Sequence, residues 1–516
     1  MAPNSALSIT QRARSKVFIR ALLITLVVVL PLLMLLIMVR LTAQTNLSGA
    51  VPWLSDGVMN WHQVKTVHTV GFSGGYYTLN EIPAQVDVLR FYMHGPVYPL
   101  LYGLFALVAG WDLPIVVYAN IVLFAVGVLV VVRTIPFTNR QLALLALVTG
   151  SYYPVILFLP TAMQETLNVF VGLVLAALFY HAFQRQAELP LTAKIVGVGF
   201  FAFAIFTRMS WGLLLLPYLY LILPRSRARI PLALLGTLLI GGSLVFIMGR
   251  IIPANDYHMV YRLLTALRED PAGGLDLLVE NIVINLSRYT SLHKPQSDIA
   301  LTIVFWAMIA MLLAILWKNR YAQAADASNP RLQIGFHLYN LFSVLILSLL
   351  LYIMGTWGDY RVISIHLLLT FVLLIALGQE RLVTVYLVFN LLCIPLLQPS
   401  FQDLHEAHFP PEPRPDLTTL EPYLVFEPNQ TDPWCNSIAV QDILFDNRIL
   451  TVPGGIGLNL VQPGVFTELS ILRSRYLWLA PDAYERVRHD MGVTELTLAV
   501  PAELNLPIYL NPNADC

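Results

Sequence analysis

The chain has 516 residues, of which 57% are hydrophobic and 12% charged, with 31 basic and 31 acidic side chains in balance. A mean hydropathy of +0.68 excludes a soluble globular domain, and the balanced charge leaves no electrostatic footprint for nucleic acid, so the class that remains is a polytopic membrane protein. With a net charge of zero, orientation has to be read from where the cations fall.

Apolar runs near the roughly 20 residues that cross about 30 Å of hydrocarbon predict spans over 18–39, 113–132, 141–159, 165–183, 193–206, 211–223, 230–248, 299–317, 334–354, 362–377 and 382–397, about eleven in all. The first run lacks a small-residue cleavage site and is read as a retained span. Cations collect after alternate spans: Arg12, Arg14 and Lys16, then Arg133 and Arg140, Arg185 and Lys194, Arg225, Arg227 and Arg229, Lys318, Arg320 and Arg331, and Arg381. The positive-inside rule places these turns, and the N terminus, in the cytoplasm, and the C terminus outside. The alternation holds only if 96–111 does not cross the membrane, so that segment is expected to be a re-entrant or interfacial helix.

The outer side then holds the loops 41–112 and 250–298 and the tail 399–516, which divides the chain into a membrane domain, 1–398, and an extracytoplasmic domain, 399–516. The tail opens on a proline-rich linker, PPEPRPDLTTLEP, and continues with β-like runs RILTV, RYLWLA and ELTLAV between turn residues, which predicts a small α/β unit. Cys435 and Cys516 could pair in an oxidising compartment, whereas Cys393 lies in an apolar run. The spacing in DLHEAHF, with His405, Glu406 and His408, lacks the i, i+4 pair of a helical zinc site. No internal repeat is evident.

In the first outer loop, VPWLSDGVMNWHQVKTVHTVG puts Asp56, Asn60 and Gln63 on one helical face and Leu54, Val58 and Trp61 on the other. This predicts an amphipathic helix on the membrane surface, with Asp56 at the edge of a polar cavity. A first-turn carboxylate favoured by the helix dipole would look the same.

An acid in this loop, Gly71 further on and then the run His94-Gly95-Pro96-Val97-Tyr98-Pro99-Leu100-Leu101 resemble the GT-C superfamily of integral-membrane glycosyltransferases. The order is similar to that in protein O-mannosyltransferases and in the bacterial aminoarabinose transferases that modify lipid A. Gly95 stands where the family often has a proline, and Asp56 is followed by Gly57 where an acidic pair is often seen. LPTAMQETLNVFVGL resembles the family's second acidic site, at Glu165, although Thr161 and Gln164 also form a capping-box pattern. FTRMSWGLLLLP places Arg208 in a hairpin, where it could also snorkel. MGTWGDYRVISIHLLL resembles an outer turn bearing Tyr360 and Arg361, with Asp359 as a local charge partner.

The resemblance implies a mainly α, multi-pass GT-C-like fold in an inner or plasma membrane of bacterial type. It implies transfer of a sugar from a polyprenyl-phosphate donor to a glycan, lipid or protein acceptor on the extracytoplasmic face. Asp56 is expected as base, since a carboxylate can deprotonate an attacking hydroxyl, and Glu165 as second acid for acceptor or metal. Arg208 and Arg361 are expected at the donor phosphate, where planar guanidinium groups bind bidentately. Supporting contacts are expected from His94, Tyr98, Tyr360, His293 and Lys294. The sequence requires no cofactor, and a divalent cation is left open. A polyprenyl-lipid transporter or flippase, or a non-catalytic GT-C-like assembly subunit, are the alternatives; transporters place ionisable groups near mid-membrane, whereas the acids here flank the spans.

Overall fold

The computed structural model describes residues 4–52, 55–71, 95–251, 259–290, 330–351, 361–409, 415–441, 447–461, 473–514 and 516, together with isolated helical turns between 299 and 317. Helix α1 (Asn4–Thr42) is followed by α2 (Ser55–Val70), α3 (Val97–Ala109), α4 (Ile115–Thr134), α5 (Asn139–Ser151), α6 (Tyr153–Phe158), α7 (Glu165–Arg185), α8 (Leu191–Thr207), α9 (Leu215–Ile222), α10 (Arg229–Ile251), α11 (Met259–Glu269) and α12 (Pro271–Thr290). After these come α13 (Pro330–Leu351), α14 (Arg361–Ala376) and α15 (Glu380–His408), and then a small C-terminal domain. Among the described residues, five segments, Val17–Thr42, Ile115–Thr134, Glu165–Glu188, Arg229–Ile251 and Leu332–Leu351, are long and apolar enough to cross a membrane.

Helix α7 runs through the middle of the bundle, and glycines bring its neighbours close. A side chain at Gly127 of α4 would meet Leu173 at 3.0 Å, and one at Gly172 would lie 3.4 Å from the Ile365 carbonyl of α14. Helix α3 has 13 residues, a length of about 20 Å that cannot cross about 30 Å of hydrocarbon.

Several expected elements differ. The run 141–159 breaks at Tyr152 between α5 and α6, because Pro154 lacks the N–H that a continuous helix needs. The run 211–223 begins as a 3-10 turn, Met209–Leu214, before α9. Helix α15 does not stop at the expected boundary but continues through Pro395 and Pro399 to His408. Its end is tied to the α1–α2 connection: His405 Nδ1 lies 2.7 Å from Thr42 Oγ1, and Val51 N–H donates to the His408 carbonyl at 2.7 Å. The expected span 299–317 falls largely outside the described residues, as does the side chain of Cys393. On α12, Asn281 donates to the Leu350 carbonyl at 2.9 Å and Asn285 to that of Leu349 at 3.0 Å. These bonds tie α12 to α13.

The C-terminal domain carries four strands, β1 (Ser437–Gln441), β2 (Gly457–Val461), β3 (Tyr476–Trp478) and β4 (Ile508–Leu510), in the order β2-β1-β3-β4. The β1 pairings with β2 and β3 are parallel, and β3 pairs antiparallel with β4. Helix α16 (Pro481–Asp490) packs beside them. Of the three expected strands, RYLWLA contains β3. RILTV instead forms a 3-10 turn, Asn447–Thr451, and ELTLAV contributes a single bridge, Leu498 to Tyr509. Cys435 and Cys516 form a disulfide with a Cα–Cα distance of 5.6 Å.

The largest departure concerns α2. It does not lie with a polar face exposed: Asn60, His62, Gln63, Lys65 and Thr66 are all buried. The C-terminal domain supplies hydrogen-bond partners for His62, Lys65 and Thr66, whereas Asn60 bonds to the turn before α7, and Trp61, Val64, Tyr98 and Tyr102 share one apolar core with Ile438, Leu458 and Trp478.

Candidate active site

Glu165 opens α7, and the turn before it is pinned from two other helices. Asn120 of α4 donates to the carbonyls of Leu159 and Thr161 at 3.0 and 2.8 Å, and Asn60 of α2 donates to that of Ala162 at 3.2 Å. Tyr102 in turn donates to Asn120 Oδ1 at 2.5 Å, with Tyr98 stacked on it at 4.1 Å. The expected capping box does not form. Gln164 is the N-cap and makes no side-chain cap, while Thr161 Oγ1 donates to Phe158 O at 2.8 Å and accepts from Met163 N–H at 3.3 Å.

The Glu165 carboxylate therefore serves another purpose. Its Oε1 lies 3.0 Å from Arg208 Nη2 and 3.5 Å from Arg361 Nε. Arg361 also reaches Asp56, with Nη2 3.2 Å from Oδ2, and its Nη1 touches Met163 Sδ at 3.7 Å. Four charged side chains from α2, α7, the α8–α9 hairpin and α14 thus form one cluster of two carboxylates and two guanidinium groups.

Its two halves differ in burial. Side-chain exposure is 4% for Glu165 and 11% for Arg208, against 21% for both Asp56 and Arg361. Arg208 is enclosed by the protein, so it does not snorkel to a lipid surface. The backbone of its hairpin is set by Arg208 N–H on Ala204 O at 2.9 Å and Trp211 N–H on Arg208 O at 3.1 Å. Arg361 sits at the start of α14, which Tyr152 holds through the Ser364 carbonyl at 2.6 Å. Glu165 Oε2 and Arg208 Nη1 are buried and have no hydrogen-bond partner among the described residues, leaving an acceptor and a donor for a ligand that carries both functions.

Behind the cluster lies a polar chain that the sequence reading missed. Trp211 Nε1 donates to Asn168 Oδ1 at 2.9 Å, and the indole stacks on His366 at 4.3 Å. His366 Nδ1 lies 2.9 Å from Asn340 Oδ1, and Asn340 Nδ2 donates to Thr370 Oγ1 at 2.9 Å. The available signal was the presence of Asn168, Asn340 and His366 inside apolar runs, where polar groups are costly and so call for a reason.

Tyr98 is fully buried beside Tyr102. His94, Tyr360, His293 and Lys294 lie outside the described residues. Among the described residues, both carboxylates of the cluster face guanidinium groups, and no cluster of three His, Cys, Asp or Glu is found. An apolar cleft of about 320 Å³ lined by Phe183, Tyr220, Ile230 and Phe336 lies toward the opposite end of α7, away from these charges. Chemically, the cluster offers a half-exposed guanidinium for an anion beside a carboxylate able to accept a proton.

No family model matches the chain, and no curated protein matches it. Among solved structures it is similar to the oligosaccharyltransferase of Archaeoglobus fulgidus in complex with zinc and sulfate, with 11% identity and a TM-score of 0.45 over 87% of this chain and 67% of that one. It is similar to AglB of the same organism in complex with an inhibitory peptide and a dolichol-phosphate, with 10% identity and a TM-score of 0.42 over 87% and 69% of the two chains. It is also similar to ArnT from Cupriavidus metallidurans bound to undecaprenyl phosphate, with 11% identity and a TM-score of 0.38 over 95% and 99%.

Proposed function

We propose that this chain is an integral-membrane glycosyltransferase of the GT-C type, moving a sugar from a polyprenyl-phosphate donor to a hydroxyl of a glycan, lipid or protein acceptor on the extracytoplasmic face. The observation that carries this reading is the chain of three ion pairs, 3.0 to 3.5 Å long, that links Arg208 to Glu165, Glu165 to Arg361 and Arg361 to Asp56. These residues come from distant parts of the chain, and a base beside an anion site is what glycosyl transfer with a phosphate leaving group requires.

In this reading the acceptor oxygen attacks the anomeric carbon while Asp56 takes its proton. The bond from that carbon to the donor phosphate oxygen breaks, and the departing phosphate carries away the electron pair. Arg361, with Arg208 behind it, stabilises the charge that grows there. Glu165 orients both guanidinium groups and offers Oε2 to a substrate hydroxyl. The alternation of cationic turns supports the N terminus inside and the C-terminal domain outside.

The test is transfer by purified protein in liposomes from a synthetic polyprenyl-phosphate sugar. Asp56→Asn is expected to slow transfer by roughly a hundredfold to ten-thousandfold. Arg361→Lys is expected to recover little, because lysine lacks the planar fork. An Asp56→Asn protein with unchanged transfer overturns the assignment.

A further inference from the structure

Asp56 occupies the first turn of α2, and the far end of that helix is held by the C-terminal domain. His62, Lys65, Thr66 and Thr69 follow the i, i+3, i+4, i+7 spacing of a single helical face, and all meet one short segment. His62 Nε2 lies 2.7 Å from the Ile456 carbonyl, Lys65 Nζ donates to the carbonyls of Leu450 and Val452 at 3.2 and 2.8 Å, and Gly455 N–H donates to Thr66 Oγ1 at 3.2 Å. The segment approaches so closely that a Cβ on Gly454 would lie 2.6 Å from Thr69 Oγ1 and 3.0 Å from the Lys65 carbonyl, and Gly455 has φ of +99°.

Lys65 is the unusual member of this face. It is 3% exposed, makes no ion pair among the described residues, and lies 5.8 Å from the Trp61 ring centroid. Burying an ammonium group without an ion-pair partner is costly, and a methionine would fill the same volume without that cost. What the lysine adds is direction: two bonds to two carbonyls two residues apart fix both the rotation and the axial position of α2. A shift of one residue moves a helix by about 1.5 Å, enough to separate Asp56 from Arg361.

We infer that Lys65 is a positioning residue, through which the C-terminal domain sets α2 so that Asp56 meets Arg361. The inference rests on the reading of Asp56 as the base. Lys65→Met is expected to lower kcat for transfer from a polyprenyl-phosphate sugar by about tenfold to a hundredfold, with no rise in KM for the donor. In an Asp56→Asn background the same change adds nothing further, since a residue acting through Asp56 has nothing left to position. Amide exchange across residues 55–61, measured without substrate, rises in Lys65→Met.

An equal loss of kcat in both backgrounds, or unchanged exchange at 55–61, overturns the inference. Absence of transfer by the wild-type protein overturns the proposed function instead and leaves the exchange result standing. Should Lys65→Met fail to fold, Thr66→Val removes the neighbouring bond from Gly455 and carries the same cycle and the same exchange measurement.

Discussion

Arg361 places Nη2 3.2 Å from Asp56 Oδ2 while its Nε lies 3.5 Å from Glu165 Oε1, so one guanidinium serves both carboxylates of the cluster. In this arrangement the group assigned as base is held by the group assigned to the phosphate. The pair keeps some contact with solvent, at 21% side-chain exposure on both sides, and is taken at about 1 kcal/mol, the upper end for an exposed pair, whereas a guanidinium–phosphate contact is bidentate and charge-assisted. In the proposed mechanism, arrival of a phosphate would therefore exchange partners at Arg361 and free Asp56 to accept a proton.

Asp56→Asn should accordingly tighten binding of a polyprenyl phosphate, by roughly fivefold for a competing pair of about 1 kcal/mol, even as it slows transfer. Arg361→Ala should weaken the same binding. Calorimetric titration of the detergent-solubilised protein reads both, and equal or weaker binding by Asp56→Asn would show that the pair does not compete with the ligand.

The pair formed by Glu165 and Arg208 should behave differently, because its side chains are only 4% and 11% exposed. Glu165→Leu leaves a buried guanidinium without its nearest carboxylate, a loss of about 3–5 kcal/mol. Adding Arg208→Met removes the stranded charge and should restore most of that stability. Asp56→Asn, at the exposed end of the cluster, should cost about 1 kcal/mol or less. Thermal unfolding midpoints in detergent give the order, and a double variant no more stable than Glu165→Leu would contradict the account.

Glu165, Arg208 and Arg361 were legible because each stands at the end of an apolar run, where a charge needs a reason, and Asp56 because it opens an amphipathic stretch of the first outer loop. Their pairing was not. Asp56 and Arg361 are 305 positions apart and Glu165 and Arg208 are 43 apart, and nothing in local spacing says which arginine meets which acid. The polar residues of α2 read as surface-facing because their partners are remote in sequence: the Ala162 carbonyl lies 102 positions from Asn60 and the Ile456 carbonyl 394 positions from His62. The same contact explains RILTV: β-branched residues favour a strand locally, but the Leu450 and Val452 carbonyls turn toward Lys65 rather than into a ladder. The short α3, by contrast, was fixed by its own length and by the alternation of cations.

Docking of α2 on the C-terminal domain should depend on pH, with a sign set by His62 and Lys65. Burial lowers His62 from 6.5 to about 3, opposed by its bond to the Ile456 carbonyl and aided by the nearby Lys65. Burial likewise lowers Lys65 from 10.5 to about 8, with Glu421 acting in the other direction. Both groups bind protons less readily when docked than when released. Between about pH 3 and 6.5 for His62, and between about 8 and 10.5 for Lys65, the released state therefore holds more protons, so docking strengthens as pH rises through each window and weakens as it falls. From pH 7 to pH 5 the His62 contribution raises the released fraction on the order of tenfold. Amide exchange over 447–456, corrected for intrinsic rates, should show that increase in the wild-type protein and lose it in His62→Gln, whose amide does not titrate. Exchange that is unchanged at pH 5, or equally steep in His62→Gln, would mean that the imidazole is not held neutral against Ile456.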